Sequence, residues 1–422
     1  MDDPVSDAAS LTPELVRDEL REWLGDNWDP DLSLLDWRQR LVSSRWAVPS
    51  WPARWHGRGW PAWTEDIVAA EMARQGVVGT PVGSGMGLVA PTLLAHGPDP
   101  LRERFLPAIL TGQETWCQLF SEPGSGSDLA GLTTRAEADG EEWVVNGQKV
   151  WNTSAHHADF GMLLVRTDWN APKHRGITYL ALPMDQAGVL VRPLRQINGH
   201  ASFNEVFLTD ARAPLDHVIG DVGDGWRVAQ TTLAYERRFG AFFSGRRYDP
   251  APRRAFAEAR AEAEEHFKPY IWYPQRAGRV DLLIEQARTT GQAGDPVVRQ
   301  AVARTLALQK VSGWTAERAR VARATGRQPG PEGSIGKLAL SGVARSAAAA
   351  HSLIAKSSAL LAGPDAPLAG TITEILVSVP AQSIAGGTDE IQCNILAERI
   401  LGLPREPSDD RNRPFRDLPR NL

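Results

Sequence analysis

Several short stretches of the sequence carry residue types and spacings that could do chemistry. In WRVAQTTLAYERRFG, Trp226, Ala229, Leu233, Glu236 and Gly240 recur at spacings of three and four, which puts Glu236 on the apolar stripe of a predicted helix. Most helix glutamates are solvated. A carboxylate on an inward stripe opens a second reading, because a general base working near neutral pH needs a buried carboxyl with a raised pKa. Arg237 and Arg238 adjoin it, where either could hold an anionic or polar part of a ligand.

A second stretch, SEPGSGSDLAG at residues 121–131, interleaves glycines with serines. Backbone amides and hydroxyls in such a loop suit phosphate oxygens, and an ordinary β-turn is equally compatible. No Gly-Lys-Ser/Thr follows, and the glycine spacing is not the dinucleotide fingerprint. In KVWNTS, Trp151 and Thr153 stand two apart on a predicted strand, so alternation places both on one face. Together they could flank a flat heteroaromatic ring, the indole packing and the hydroxyl bonding a ring nitrogen. A core tryptophan beside a threonine fits the same residues. In IAGGTDEIQ, Gly386 and Gly387 precede Thr388 and an apolar-periodic run, as where a main chain comes close to a ligand at a helix start. His156 and His157 read as neighbours on opposite faces of a strand with no second ligand pair nearby, so no metal site is expected. No nucleophile elbow or Cys/His arrangement suggests acyl-enzyme chemistry.

The elements that must position these residues change period along the chain. Residues 1–114 read as a helical domain, with LTPELVRDELREWL, LLDWRQRLVSSRW, TEDIVAAEMARQ and LRERFLPAIL each apolar at three and four spacing. The tryptophans of WAVPSWPARWHGRGWPAW read as core packing. Residues 115–220 alternate with period two and read as an antiparallel β domain, with EEWVVNGQKVWNTS as two short strands hinged on Asn146-Gly147. Helical periodicity returns over residues 221–405, and residues 406–422 form a polar, Pro-rich tail, disordered or an arm on a partner subunit. The net charge of -5 excludes a polycationic nucleic-acid face. The acidic start, the absence of an expected membrane span and the two unpaired cysteines, Cys117 and Cys393, point to a cytoplasmic protein.

Taken in order, FSEPGSGSDLAG, NGQKVWNT, LAYERR and GGTDEIQ resemble the acyl-CoA dehydrogenase family over about residues 10–405. The resemblance implies a mostly α fold with a central antiparallel β domain, in a three-domain architecture of helices, β-barrel-like middle and helical bundle. It implies bound FAD and an acyl-CoA thioester lying between the flavin and a catalytic carboxylate. Phe120 and Ser121 fall where the family contacts the flavin ring, Ser127 where a hydroxyl meets the pyrophosphate, Trp151 and Thr153 where the ring is covered and bonded near N5, and Thr388 at the flavin-contacting start of the last helix. Many members carry the catalytic glutamate at the position of Gly386. Others carry it just before the arginine of LAYERR, which is Glu236, with Arg237 beside the substrate. The backbone N–H of Gly386 is then left to polarise the thioester carbonyl. The implied reaction is removal of the α-proton by Glu236 with transfer of the β-hydride to flavin N5, giving a trans-2-enoyl thioester, and electrons leave to an electron-transferring flavoprotein.

Two expected segments are missing. The family's Arg and Phe-Gly motif is not visible in RAFAEARAEAEEHFKPYIWYPQR, nor its Gln and Gly-Gly-x-Gly segment in LIAKSSALLAGPDAPLAG. In homotetrameric members these grip FAD across a subunit interface. The resemblance therefore leaves open a homo-oligomer or a heteromer with a second acyl-CoA dehydrogenase subunit. A non-catalytic subunit and an oxygen-using flavoprotein on the same fold are the competing readings.

Overall fold

The computed structural model describes residues 11–239, 253–324, 330–331, 333–407 and 409–419. The chain divides into two compact units, residues 1–194 with 203–268 and 408–422, and residues 195–202 with 269–407.

The first unit opens with α1 (Pro13–Asn27), α2 (Leu34–Ser43), α3 (Trp63–Arg74), α4 (Ala90–His96) and α5 (Asp99–Thr111). Thr12 starts α1 by accepting from Leu15 N at 3.3 Å, with Pro13 in the first turn. Trp46, Trp55 and Trp60 are buried, as core packing requires, and the Arg58 guanidinium lies 3.8 Å from the Trp46 ring centre. Seven strands follow: β1 (Trp116–Leu119), β2 (Arg135–Asp139), β3 (Glu142–Asn152), β4 (Phe160–Arg166), β5 (Ile177–Pro183), β6 (Val189–Leu194) and β7 (Phe203–Pro214). They form one sheet in the order β1-β4-β2-β3-β7-β6, with β5 on β4. The unit closes with α6 (Gly225–Phe239), α7 (Arg254–Phe267) and the C-terminal residues.

Three features of this unit differ from the expectation. The sheet is mixed, because β1 and β2 each pair parallel with β4. Parallel partners are separated by long crossovers that leave no local signal. The segment around Asn146-Gly147 is one strand, β3, carrying a bulge where its pairing with β7 shifts between Val145 and Gly147. A side chain at Gly147 would run into Thr134, and Asn146 is tied across the bulge to Asp210 by bonds of 2.9 and 3.0 Å. The C-terminal segment docks on its own chain. Phe415 N and Arg416 N donate to Ala171 O and Trp169 O at 3.0 and 3.1 Å, and the Phe415 ring, 3% exposed, covers the Arg166 guanidinium at 3.4 Å.

The second unit holds α8 (Tyr273–Arg276), α9 (Leu283–Thr289), α10 (Pro296–Ala324), α11 (Gly333–Ala355), α12 (Thr371–Ser378), α13 (Pro380–Ile384) and α14 (Asp389–Arg399). Two stretches here, Gly333–Leu360 and Pro367–Arg399, reach the length and mean hydropathy of a membrane span, which the sequence reading did not expect. Both carry ionised groups that pair with each other. Asp389 of α14 binds Lys337 at 3.0 Å and Arg345 at 2.9 Å, both on α11, so these are packed bundle helices.

Candidate active site

The face of α6 that carries Val228, Ala229 and Thr232 is fully buried against β5 and α4. Thr232 Oγ1 lies 2.9 Å from Thr92 Oγ1 and 3.2 Å from the Tyr179 hydroxyl, fixing the helix rotation. One turn further on the same face comes Glu236, which is partly buried and accepts from Gln118 Nε2 of β1 at 3.1 Å. The inward reading of the stripe therefore holds for the carboxylate itself. The backbone of Arg237 continues α6, and its side chain lies outside the described residues.

Beyond Gln118, the Phe120 ring is buried edge-on against Tyr179 at 5.7 Å, and Ser121 O accepts from Val150 N at 2.9 Å. The glycine-serine loop that follows is anchored from below by Glu122. Its Oε2 accepts from Thr133 N and Thr133 Oγ1 at 2.7 and 2.9 Å, and its Oε1 from Thr134 N and Lys149 Nζ at 2.8 and 2.9 Å. Lys149, fully buried, also donates to Phe120 O at 3.0 Å. Burial pushes the Glu122 carboxyl upward, but the Lys149 charge and the threonine donors outweigh it and hold it down at about 2. Burial lowers the Lys149 ammonium, against the pull of Glu122. Arg166 secures the far end of the loop by donating to Ala130 O and Leu132 O at 2.7 and 3.1 Å. Ser127 remains exposed at the top, beside Gly126, where an added Cβ would meet no atom. The sequence reading passed over Glu122, Lys149 and Arg166, although a buried charge inside a strand pattern is a usable signal.

Trp151 and Thr153 do not alternate on a regular strand. Trp151 takes a φ of +64° at a second irregularity in the pairing of β3 with β7, and Thr153 lies in the turn after Asn152. The left-handed residue breaks the two-residue period. The core reading does not hold, because the Trp151 side chain is 56% exposed, held on one edge by Phe203 at 5.7 Å. Between the two sits Asn152, 1% exposed, whose Oδ1 has no hydrogen-bond partner. An orphaned buried acceptor beside an exposed indole fits a planar ring that brings its own N–H donor.

In the second unit, Thr388 caps α14 by accepting from Ile391 N at 3.2 Å, which leaves its hydroxyl proton to donate elsewhere. Gly386 and Gly387 take φ values of +68° and +82°. A side chain at Gly386 would meet open space yet adopt a left-handed backbone, whereas one at Gly387 would run into the Gln392 amide.

His156 and His157 lie in a turn, so the argument from opposite strand faces does not apply to them. Their facing ring nitrogens are 3.2 Å apart, with a Glu265 oxygen of α7 at 3.6 and 3.9 Å. Lys268 stands 3.9 Å from that same carboxylate and competes for it.

The chain matches the acyl-CoA dehydrogenase N-terminal domain over residues 10–113, the middle domain over 117–211 and the C-terminal domain over 275–401. It is 36% identical to acyl-CoA dehydrogenase IpdE1 of Mycobacterium tuberculosis, across 93% of this chain and 98% of that one. The chain belongs to the acyl-CoA dehydrogenase family. As a member, it is an FAD-dependent oxidoreductase acting on CH–CH bonds. Among solved structures it resembles the ChsE4-ChsE5 complex of Mycobacterium tuberculosis, at 27% identity and a TM-score of 0.63, covering 94% of this chain and 99% of that one. It also resembles the Tcur3481-Tcur3483 steroid acyl-CoA dehydrogenase, at 25% identity and a TM-score of 0.63, covering 96% and 100%. The fold expected from the family resemblance is the one found, with the sheet mixed in place of antiparallel.

Proposed function

We propose that this acyl-CoA dehydrogenase takes two hydrogens from the α,β-bond of an acyl-CoA thioester to give a trans-2-enoyl-CoA, with Glu236 as the base for the α-proton. The observation that carries the reading is the position of Glu236, partly buried on the inward face of α6 and bonded to β1. FAD, when bound, supplies the acceptor for the β-hydride at N5. This chain's residues bind and orient. The Trp151 indole and Thr153 hydroxyl are assigned to the ring, together with Phe120, Ser121 and Thr388, and Ser127 to the pyrophosphate. Arg237 and the Gly386 N–H are assigned to the thioester, the N–H as a donor to the carbonyl oxygen where negative charge develops. The domain boundaries at residues 114, 220 and 405 belong to this reading, as do a cytoplasmic location and electron-transferring flavoprotein as acceptor.

A second reading concerns assembly. The segments that would grip FAD from a neighbouring copy are missing, the solved relatives include a complex of unlike subunits by name, and α10 exposes Leu308, Val311, Trp314 and Val321 along its length. These support a partner that is a second, unlike acyl-CoA dehydrogenase subunit, with this chain partly catalytic or completing the partner's site. The chain purified alone and co-expressed with such a subunit is compared by its flavin absorbance and by mass-spectrometric loss of two hydrogens from a panel of straight, branched and steroid-carboxyl CoA thioesters. Higher flavin occupancy and product only on co-expression supports the heteromer. A yellow, stoichiometric and active protein alone rules it out, and absence of any enoyl product from both preparations rules out the dehydrogenase reading.

A further inference from the structure

Gln118 joins two parts of the site that come from different elements. Its main-chain carbonyl accepts from Asn152 Nδ2 at 2.7 Å, and the Asn152 carbonyl accepts from Asn204 Nδ2 at 2.8 Å. Its side-chain amide donates to Glu236 Oε2 at 3.1 Å. Three neutral amides on β7, β3 and β1 thus run through the turn that presents Trp151 and Thr153, and end on the carboxylate of α6. Asn152 and Asn204 are buried, so the ladder is rigid at its base.

A glutamate side chain has several free torsions, and ordering it at the moment of reaction costs free energy. A donor whose main chain is held by strand pairing narrows the positions open to the carboxylate beforehand. Gln118 contributes a neutral amide, with no charge of its own, to the carboxylate. Glu122 provides the internal contrast, where a buried lysine holds the carboxyl down at about 2.

We propose that Gln118 is a positioning residue for proton abstraction, orienting the Glu236 carboxylate toward the α-carbon of the thioester and locking it to the strand that carries Trp151. The inference rests on Glu236 being the base. In the step it serves, the α C–H bond breaks, the proton passes to a Glu236 oxygen, and the electron pair is delocalised onto the thioester carbonyl oxygen. With a thioester that has α- but no β-hydrogens, nothing further can follow. In heavy water the carboxyl proton exchanges and a deuteron returns to the α-carbon.

That exchange, read by mass spectrometry with an arylacetyl-CoA on the flavin-loaded protein in its native assembly, tests the inference without any oxidation. Gln118→Met keeps the volume and removes the donor, and should slow deuterium incorporation by about 10- to 100-fold. Gln118→Glu, the same size with an acceptor in place of the donor, should slow it at least as far and provides the answer where the methionine variant is unstable. Glu236→Asp withdraws the carboxylate beyond the amide's reach, so adding Gln118→Met to it should change the remaining rate by no more than about twofold. A purely structural role would lower both backgrounds alike, and that result, or a wild-type rate in the Gln118 variants, overturns the inference while leaving Glu236 in place. A wild-type exchange rate in Glu236→Gln instead removes the base, and Gln118 with it.

Discussion

Two glutamates of the first unit, Glu122 and Glu236, show how one residue type is put to opposite uses. Glu122 is enclosed by a buried lysine, two backbone amides and a hydroxyl, and its carboxyl is held down at about 2. Such a group cannot take up a proton near neutral pH, and it serves as the anchor of the glycine-serine loop. Glu236 sits at the edge of a buried helix face and meets a neutral amide. Lys149 brings a full charge to Glu122, whereas Gln118 brings a neutral amide to Glu236, and the charge of a partner bears on role alongside burial.

The comparison breaks most visibly at the anchor. Glu122→Gln strands the Lys149 ammonium with its counter-charge gone, and the loss of one partner of a buried pair costs about 3–5 kcal/mol. Denaturant unfolding should report that loss together with a lower flavin-to-protein ratio, and unchanged values of both would show that the loop does not depend on the pair. The same group sets an acid limb. Its folded pKa of about 2 lies below the unfolded value of about 4.3, so its stabilisation is full above the higher value and is lost as pH falls toward the lower. The stability gap between wild type and Glu122→Gln should therefore narrow between about pH 4.3 and 2, and a gap that stays constant there contradicts the assignment.

A smaller effect is expected from Phe415→Ala. It uncovers Arg166, the clamp on Ala130 and Leu132, and should cost about 2 kcal/mol, the scale of a desolvated cation–π contact. Limited proteolysis of the C-terminal segment, faster in the variant, would check that this is the cause. The smallest change is Thr153→Val, which removes one hydroxyl next to the exposed indole. A hydrogen bond to the flavin worth about 1 kcal/mol would move its two-electron potential by about 20 mV. An unchanged potential and absorption spectrum would take Thr153 away from the ring.

Much of this arrangement was legible in the sequence. Helical periodicity and the Thr12-Pro13 start revealed α1, and the run of three and four spacings put Glu236 on the apolar stripe while leaving the solvated and buried readings both open. What escaped was non-local. The parallel pairing of β1 with β4 joins Cys117 to Gly161, and no local pattern encodes a partner that far along the chain. Asn146-Gly147 carries a hairpin's chemistry, yet the close approach of Thr134 uses its missing side chain for a bulge. Gln118 has no sequence signal of its own. It becomes meaningful only once Asn152 and Asn204 are seen to lie on adjoining strands. The tail reads as polar because two apolar residues, Phe415 and Leu418, suffice to dock it.

The most direct measurement is turnover per bound flavin in Glu236→Gln, set against the same quantity in Glu122→Gln. Dividing by bound flavin separates the chemistry from cofactor retention, where the two glutamates are assigned different parts. Glu236→Gln should keep the flavin ratio and unfolding midpoint of wild type while turnover per flavin falls by about 100- to 10,000-fold, the worth of a general base. Glu122→Gln should lose flavin but keep turnover per remaining flavin within about tenfold of wild type, well short of that loss. Retention by Glu236→Gln of more than about a tenth of wild-type turnover per flavin would contradict the account.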